Sequence, residues 1–332
     1  MPYRKPLGTM AAMRRREYPG PLALDAMQEL AVRCFPRTGY RHIGDLAWSW
    51  CRALTPAEEW PTAVWTEGGR TLAWGWLEPP GELMLQVDPS HPELAAEVLH
   101  WATTKSRGPL SAEVADTEPH LITALTRQGH TRLDIPFMSC LSRPLTPHPA
   151  STRFPISSLS PESSPALKTS DLPSVPELLA VPPLPDGYSI RPQRTPSDVA
   201  GRAAVHRAAW DSTRITTERH TRLREVWPYR PEMDLVAVSP IGEIVAYCQG
   251  WYDEANRVGL YEPVGTHPAH RRLGLSAAVC TAVLHAFAEA GAEHAAVYAR
   301  GDAAYPVPKH LYESLGFREY TRVHAYVARP KA

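Results

Sequence analysis

The order of strand and helix patterns predicts a mixed α/β fold, a splayed and mostly antiparallel sheet flanked by helices, built twice in one chain. Three observations carry this. Residues 187–332 read strand, helix, hairpin, strand, helix, strand, helix, strand. Residues 1–145 repeat much of that order in fainter form. Between them, residues 146–186 are rich in Pro and Ser, a composition that holds neither a helix nor a central strand and reads as a connector. The 332 residues suit two domains of about 150 residues each.

The second half is the clearer one. Tyr188–Ile190 reads as a first strand, and Asp198–Trp210 has helical spacing. Asp234–Val238 and Ile244–Trp251 form a hairpin around Gly242, and Val258–Thr266 is a further strand. A helix follows from Leu275 to Ala290, with Val279, Val283 and Phe287 on one face and Gly291 after it. Ala295–Ala299, a short helix at Leu311–Leu315 closed by Gly316, and a strand at Val323–Val327 complete the half. In the first half, Thr62–Trp65 and Thr71–Leu77 flank Gly68-Gly69 as a hairpin, and Leu83–Val87 is a strand. Leu94–Trp101 and Leu121–Leu125 are helices, the second ending before Gly129, and Phe137–Leu141 is a last strand. Val87-Asp88-Pro89 then matches Thr266-His267-Pro268, and Gly129 matches Gly316, as expected of two related units.

Composition narrows the function. The apolar fraction is 43%, enough for real cores. Thirty-five basic residues balance thirty-five acidic ones, which gives no electrostatic reason to expect nucleic acid or an anionic membrane as partner. The five cysteines are odd in number, far apart and without a Cys-x-x-Cys pair. No disulfide framework or metal site is expected, and a cytoplasmic setting fits. The run Arg14-Arg15-Arg16 precedes no apolar segment, so it reads as a solvated head rather than a secretory signal. The most apolar long window, Ala277–Ala299, is broken by His285, Glu289, Glu293 and His294, so it is not read as a membrane span.

The segment that carries chemistry is Pro268-Ala-His-Arg271-Arg272-Leu273-Gly274-Leu275-Ser276. It follows a strand and opens an amphipathic helix. Glycine lets a ligand approach the backbone closely. The free N–H groups of a first helical turn, with the positive end of the dipole, attract anions, and two arginines add charge that pairs with phosphate. A pyrophosphate is the natural occupant. The corresponding stretch of the first half offers Pro92 and Glu93 in place of arginines, so that half is expected to lack such a site.

This segment resembles the Arg/Gln-x-x-Gly-x-Gly/Ala signature of the GCN5-related N-acetyltransferase (GNAT) family, with Ser276 in the last small position. Tyr312-Glu-Ser-Leu-Gly316-Phe317 is similar to a second element of that family. The doubled arrangement, and the stretch Glu262-Pro-Val-Gly-Thr-His-Pro268, look like the tandem GNAT proteins, of which mycothiol synthase is one kind. The resemblance implies acetyl-CoA as co-substrate, with no metal. Its pyrophosphate would rest on Arg271, Arg272, Leu273, Gly274, Leu275 and Ser276. Its pantetheine arm would pair with the strand edge at Val264, Gly265 and Thr266. Tyr312 matches the position that protonates the leaving thiolate, and Glu262, beside the acetyl site, is the candidate base. His267 is an alternative base, although a His before Pro reads first as a turn residue. Where the family has Asn and Ala before its Tyr, this chain has Tyr305 and Pro308. Of the aromatics Trp210, Trp227, Tyr229, Trp251 and Tyr252, the last two are the candidates to line an acceptor pocket.

The expected function is N-acetylation of a small-molecule primary amine, an antibiotic or biosynthetic intermediate, by a monomer or homodimer. Two alternatives stay open: a protein that binds acyl-CoA or a metabolite without turnover, and a transferase using a larger acyl donor.

Overall fold

The computed structural model describes residues 13–18, 23–53, 60–145 and 178–328. The first half comprises β1 (Arg14–Tyr18), α1 (Leu24–Thr38), α2 (Ile43–Ala53), β2 (Thr62–Glu67), β3 (Arg70–Glu78), β4 (Glu82–Val87), α3 (Leu94–Lys105), β5 (Ser111–Ala115), α4 (Pro119–Arg127) and β6 (His130–Pro144). The second comprises β7 (Ser189–Pro192), α5 (Pro196–Trp210), α6 (Thr217–Leu223), β8 (Asp234–Val238), β9 (Ile244–Asp253), β10 (Val258–Thr266), α7 (Leu275–Glu289), β11 (His294–Arg300), α8 (Val307–Ser314) and β12 (Arg318–Ala328). From β2 to β6 and from β8 to β12 the order is the same.

Local chemistry explains the boundaries. In α1, Met27, Leu30, Ala31 and Cys34 are buried at helical spacing. Gly39 ends the helix with φ 64° and returns its N–H to the Phe35 carbonyl at 2.8 Å. The start of α5 is fixed by a capping box. Thr195 accepts from the Asp198 amide, Asp198 accepts from the Thr195 amide, and Pro196 sits at the first position. The Asp198 carboxylate also takes both ends of the Arg191 guanidinium, at 2.9 and 2.7 Å. Gly129 and Gly316 follow α4 and α8 with φ 81° and 83°, the left-handed turn that glycine adopts without strain.

All twelve strands of the described residues join one sheet, in the order β1-β2-β3-β4-β5-β12-β6-β11-β10-β9-β8-β7. The two halves exchange their last strands. β12 inserts between β5 and β6, and β6 inserts between β12 and β11. β6 pairs antiparallel with the whole of β11, from His294↔Pro144 to Arg300↔Met138. Each half therefore completes the other's sheet. The cores follow the same exchange. Tyr326 of β12 is buried in the first half's cluster with Trp65, Leu99 and Trp101. Leu141 of β6 is buried with Val283, Phe287 and Val297 of the second. A third cluster joins α1 and α2, through Phe35, Trp48 and Cys51, to Trp251, Leu260 and Tyr320.

Some expectations shift. Arg14-Arg15-Arg16 is not a ragged head: it lies in the exposed edge strand β1, from Arg14↔Thr66 to Tyr18↔Thr62. Strand alternation lets one strand carry three arginines when both its faces meet water. α8 begins at Val307, ahead of the expected Leu311, because Pro308 is accepted in the first turn. Of the Pro- and Ser-rich connector, residues 146–177 lie outside the described residues. Its end docks on the second half: Leu178 packs against that core, and His285 of α7 meets the Leu179 carbonyl at 2.9 Å. Among the described residues no helix is long and apolar enough to cross a membrane.

The strand exchange predicts that neither half stands alone. A fragment of residues 187–332 lacks β6, which leaves facing edges of β11 and β12 unpaired. The fragment is expected in inclusion bodies or as aggregates by size-exclusion chromatography, and co-expression with residues 1–145 should restore soluble material. A soluble, folded fragment would show that the exchange is dispensable.

Candidate active site

The site is opened by the geometry of β10. This strand pairs in parallel with β11 only from Val258↔His294 to Tyr261↔Val297. A register shift against β9 between Tyr261 and Val264 marks a bulge, and Pro263 has no N–H to give to a ladder. Beyond it, Val264, Gly265 and Thr266 pair with Cys248, Tyr247 and Ala246 of β9. Their other edge faces the gap left by β11, which stays with β6 to Arg300. The result is a V-shaped opening with an unpaired strand edge on one side.

At the end of β10 the chain makes a 3₁₀ turn, Pro268–His270, and enters α7. The His267 side chain accepts from the Ala269 amide at 3.2 Å, so it serves as a cap of that turn. Arg271, Arg272, Leu273 and Gly274 are exposed. Arg272 and Gly274 both have positive φ, 68° and 75°. The first helical bond runs from the Ala278 amide to the Gly274 carbonyl at 3.1 Å, which leaves the amides of the preceding turn without an intrahelical acceptor. A Cβ built on Gly274 would meet nothing within 4 Å, so the space in front of the turn is open. Thr266 and Ser276 tie the strand to the helix by a 2.6 Å hydroxyl contact. Free amides, a helix start, open space and two arginines fit a pyrophosphate.

The matching turn of the first half has a different chemistry. The amides of His91, Leu94 and Ala95 are donated to the carbonyls of Asp88, His91 and Pro92 at 2.8, 3.1 and 3.2 Å. The Ser90 amide goes to the Asp88 carboxylate at 3.0 Å. Arg33, Arg37 and Arg70 converge on that carboxylate at 3.7, 3.5 and 3.6 Å. Burial works to raise the Asp88 pKa, but the Ser90 hydrogen bonds and the charges of Arg33 and Arg70 hold it below the usual carboxylate range. An internal anion already occupies the place where an external one would sit.

Glu262 stands at the bulge of β10, half-buried. Burial pushes its carboxyl up to about 8; Asp45 adds to the rise and Arg52 opposes it. Both of those residues are on α2, so the first half reaches into the site. Tyr312, on α8, is buried, with its ring 6.3 Å from Tyr261 and 6.0 Å from Phe317. Burial and the charges of Cys280, Cys248 and Glu262 hold its phenol well above its ordinary pKa. It is therefore protonated at neutral pH.

The expected pocket residues do not join this cluster. Trp251 is fully buried beneath α2, where a Cβ on Gly44 would overlap it. Its indole N–H donates to the Glu262 carbonyl, so it braces the bulge rather than lining a cavity. Tyr252 points to the opposite face, opposite Gly259 near the start of β10. It lines a separate groove of about 470 Å³ with Trp227, Tyr229 and Arg230. The residues in electrostatic reach of Glu262 include Asp45 and Arg52 of α2 and Tyr247 of β9. Asp45, Trp48 and Arg52 recur at helical spacing, a signal visible in the sequence once α2 is assigned. Among the described residues no cluster of His, Cys, Asp and Glu could hold a metal ion.

Residues 202–317 match the model of the Acetyltransferase (GNAT) family. No curated protein matches the chain. The fold, by contrast, has full-length parallels. A tandem GNAT protein from the clavulanic acid biosynthesis pathway superposes with a TM-score of 0.61 at 20% identity, over 96% of this chain and 100% of that one. A GNAT-family acetyltransferase from Colwellia psychrerythraea gives 0.59 at 11% identity, over 96% and 100%. A GCN5-related N-acetyltransferase from Sphaerobacter thermophilus gives 0.57 at 16%, over 96% and 97%. The second half thus matches the GNAT family model over residues 202–317, and the chain along its length has a doubled fold similar to that of the tandem GNAT protein.

Proposed function

We propose that the protein is an acetyl-CoA-dependent N-acetyltransferase acting on a primary amine of a small molecule, an antibiotic or biosynthetic intermediate, by direct transfer. One observation carries the reading: an open strand edge leads from an anion cradle to a half-buried carboxyl and a protonated phenol. The cradle at Arg271–Ser276 would hold the CoA pyrophosphate, and the edge of Val264–Thr266 would hold the pantetheine arm as an added strand. Acetyl-CoA supplies the activated acyl group. Glu262 takes the proton from the attacking amine, directly or through one water. Tyr312 gives its proton to the sulfur as the carbon–sulfur bond breaks. The environment suits both roles: a carboxyl raised to about 8 is a stronger base than an exposed one, and a phenol kept protonated is a ready donor.

The cradle assignment predicts one CoA per chain, because the first-half turn is closed by Asp88. Arg271→Glu combined with Gly274→Val reverses a charge and puts a branched side chain at φ 75°. Calorimetric titration is expected to show one equivalent for the wild type and none for the double variant. Two equivalents, or unchanged affinity, would refute it.

For Tyr312, replacement by Phe keeps the ring contacts and removes the proton. Turnover should drop by ~10²-fold with little change in melting temperature. Lower stability with near-normal turnover would make the residue a packing element.

Glu262→Gln tests the base through its pH profile. Below pH 8 the Glu262 carboxyl is protonated and cannot accept a proton, so wild type and variant should be close. The rate ratio should rise as pH passes about 8. It should shrink again above ~10, where an alkylamine is already neutral. A ratio independent of pH would assign Glu262 a positioning role.

A further inference from the structure

The end of α5 presents a large aromatic side chain to solvent. Trp210, the last residue of that helix, is 57% exposed. Large aromatics are usually covered, because each buries substantial apolar area. This one is exposed yet held. Its indole N–H donates to the Tyr247 hydroxyl at 2.9 Å. The His206 ring is stacked against one face, at 6.0 Å and 23°, which leaves the other face to solvent. His206 Nδ1 lies 2.7 Å from the same hydroxyl. Trp48 of the first half meets His206 edge-on at 5.2 Å. Beneath, the fully buried Arg202 guanidinium lies 3.2 Å from the Tyr247 ring centre.

Two contacts fix where this surface stands. A Cβ on Gly265 would come within 2.5 Å of the Tyr247 hydroxyl. One hydroxyl therefore separates the indole N–H from the middle of the open edge Val264–Thr266. One residue before Trp210, the Ala209 carbonyl accepts from Arg271 Nη2 at 3.2 Å. A guanidinium is favoured there, because the last carbonyls of a helix are partly negative. Trp210 and its neighbour are thus joined to the edge at Gly265 and to the cradle at Arg271. The sheet also has two sides here. Tyr247 and Cys248 are adjacent on β9 and point to opposite faces. Cys248 packs in the cluster that holds Tyr312, whereas Tyr247 packs with Val205 of α5. Trp210 and Tyr312 therefore belong to opposite faces of the sheet.

The chemistry of the proposed cofactor gives this surface an occupant. The open edge would take the pantetheine arm and the turn at Arg271–Ser276 the pyrophosphate. Between the pyrophosphate and the first amide of the arm lies the pantoyl unit, whose quaternary carbon carries two methyl groups. An added strand is held by hydrogen bonds to the backbone edge, and those bonds do nothing for a branched apolar carbon. A fixed aromatic face does, by taking apolar surface out of water. Burial, then Arg202 and Arg207, lower the His206 pKa to about 3, so the ring behind the indole is neutral at neutral pH. The surface offered beside the edge is apolar and rigid.

We propose that Trp210 is a cofactor-binding residue whose free indole face covers the pantoyl part of the CoA arm. The proposal rests on the acetyltransferase reading above and adds a residue outside the Arg271–Ser276 signature. The first test reads the indole directly, in the full chain. Of the ten tryptophans, Trp210 and Trp227 are the exposed ones, and Trp227 lines the separate groove with Tyr252. In the Trp227→Phe protein, acrylamide quenching of tryptophan emission should fall by about twofold at saturating CoA, as an exposed indole becomes covered. The fall should vanish when Trp210→Phe is added. Quenching unchanged by saturating CoA would overturn the proposal. The second test separates the arm from the phosphates by calorimetry. Trp210→Ala should weaken CoA about tenfold, but 3′-phosphoadenosine 5′-diphosphate, which has the pyrophosphate and no arm, by less than about twofold. Trp210→Phe should recover most of the loss, which a merely structural role would not predict. Equal loss for the two ligands would mean that the variant disturbs the cradle at Arg271, and would overturn the proposal, as would unchanged CoA affinity. Failure of the wild type to bind CoA would overturn the acetyltransferase reading itself, whereas CoA binding with the indole as accessible as before would overturn only the role of Trp210.

Discussion

The antiparallel pairing of β6 with β12 holds the molecule together. These strands come from different halves, yet they run side by side from Arg318↔Ser142 to Ala328↔His130. Remove that ladder and two sheets of six strands remain, each with a raw edge where its neighbour had been. Because the ladder exists, β11 is held along its whole length by β6 rather than by β10. β10 is then free to leave β11 after Tyr261, which forms the V of the site. The opening on which the proposed chemistry depends is thus secured by a strand of the other half.

The same junction explains why the first half retains a place in the molecule without an anion site of its own. Its α2 lies against Trp251 and Leu260 of the second half. It brings Asp45 and Arg52 within electrostatic reach of Glu262. Its own cradle is filled by the Asp88 carboxylate and three arginines. A buried anion so well paired would be costly to displace, since moving it would leave several cations unmatched. In the proposed reaction one half binds and reacts, while the other supplies a brace.

Much of this was legible in the sequence. The turn at Arg271–Ser276 is legible because a strand, a Pro, a glycine and an amphipathic helix occur there in an order that builds an anion cradle. The hairpins and α7 were clear because their apolar residues keep period two or period four. α1 and α2 were not assigned, although Met27, Leu30 and Cys34 keep helical spacing, because the Pro36 and Gly39 signals fall inside and just after that run. β5 was not assigned either; its five residues include a single large apolar side chain, and pairing with β12 decides it. The pocket residues were the weakest reading. Trp251 and Tyr252 are adjacent in a strand, so they must face opposite sides, and which side meets the acceptor depends on α2, which lies about two hundred residues away in the chain. Strand exchange leaves no mark in the sequence at all, because β6 carries the same pattern whichever half it completes.

That exchange also has a consequence for how the chain comes into being. A ribosome releases β6 long before β11 and β12 exist, with the Pro-rich connector and most of the second half still to be made. Until then Cys140 and Leu141, fully buried in the finished protein, have no partner strand on either side, and β5 lacks its neighbour. The usual sequence, in which an amino-terminal domain folds while the next is being synthesised, is closed to this protein. Its contacts of greatest sequence separation lie at its centre, and closing them late slows folding. The newborn chain must carry an open sheet edge through most of its synthesis, and the last strand made is the one that seals it.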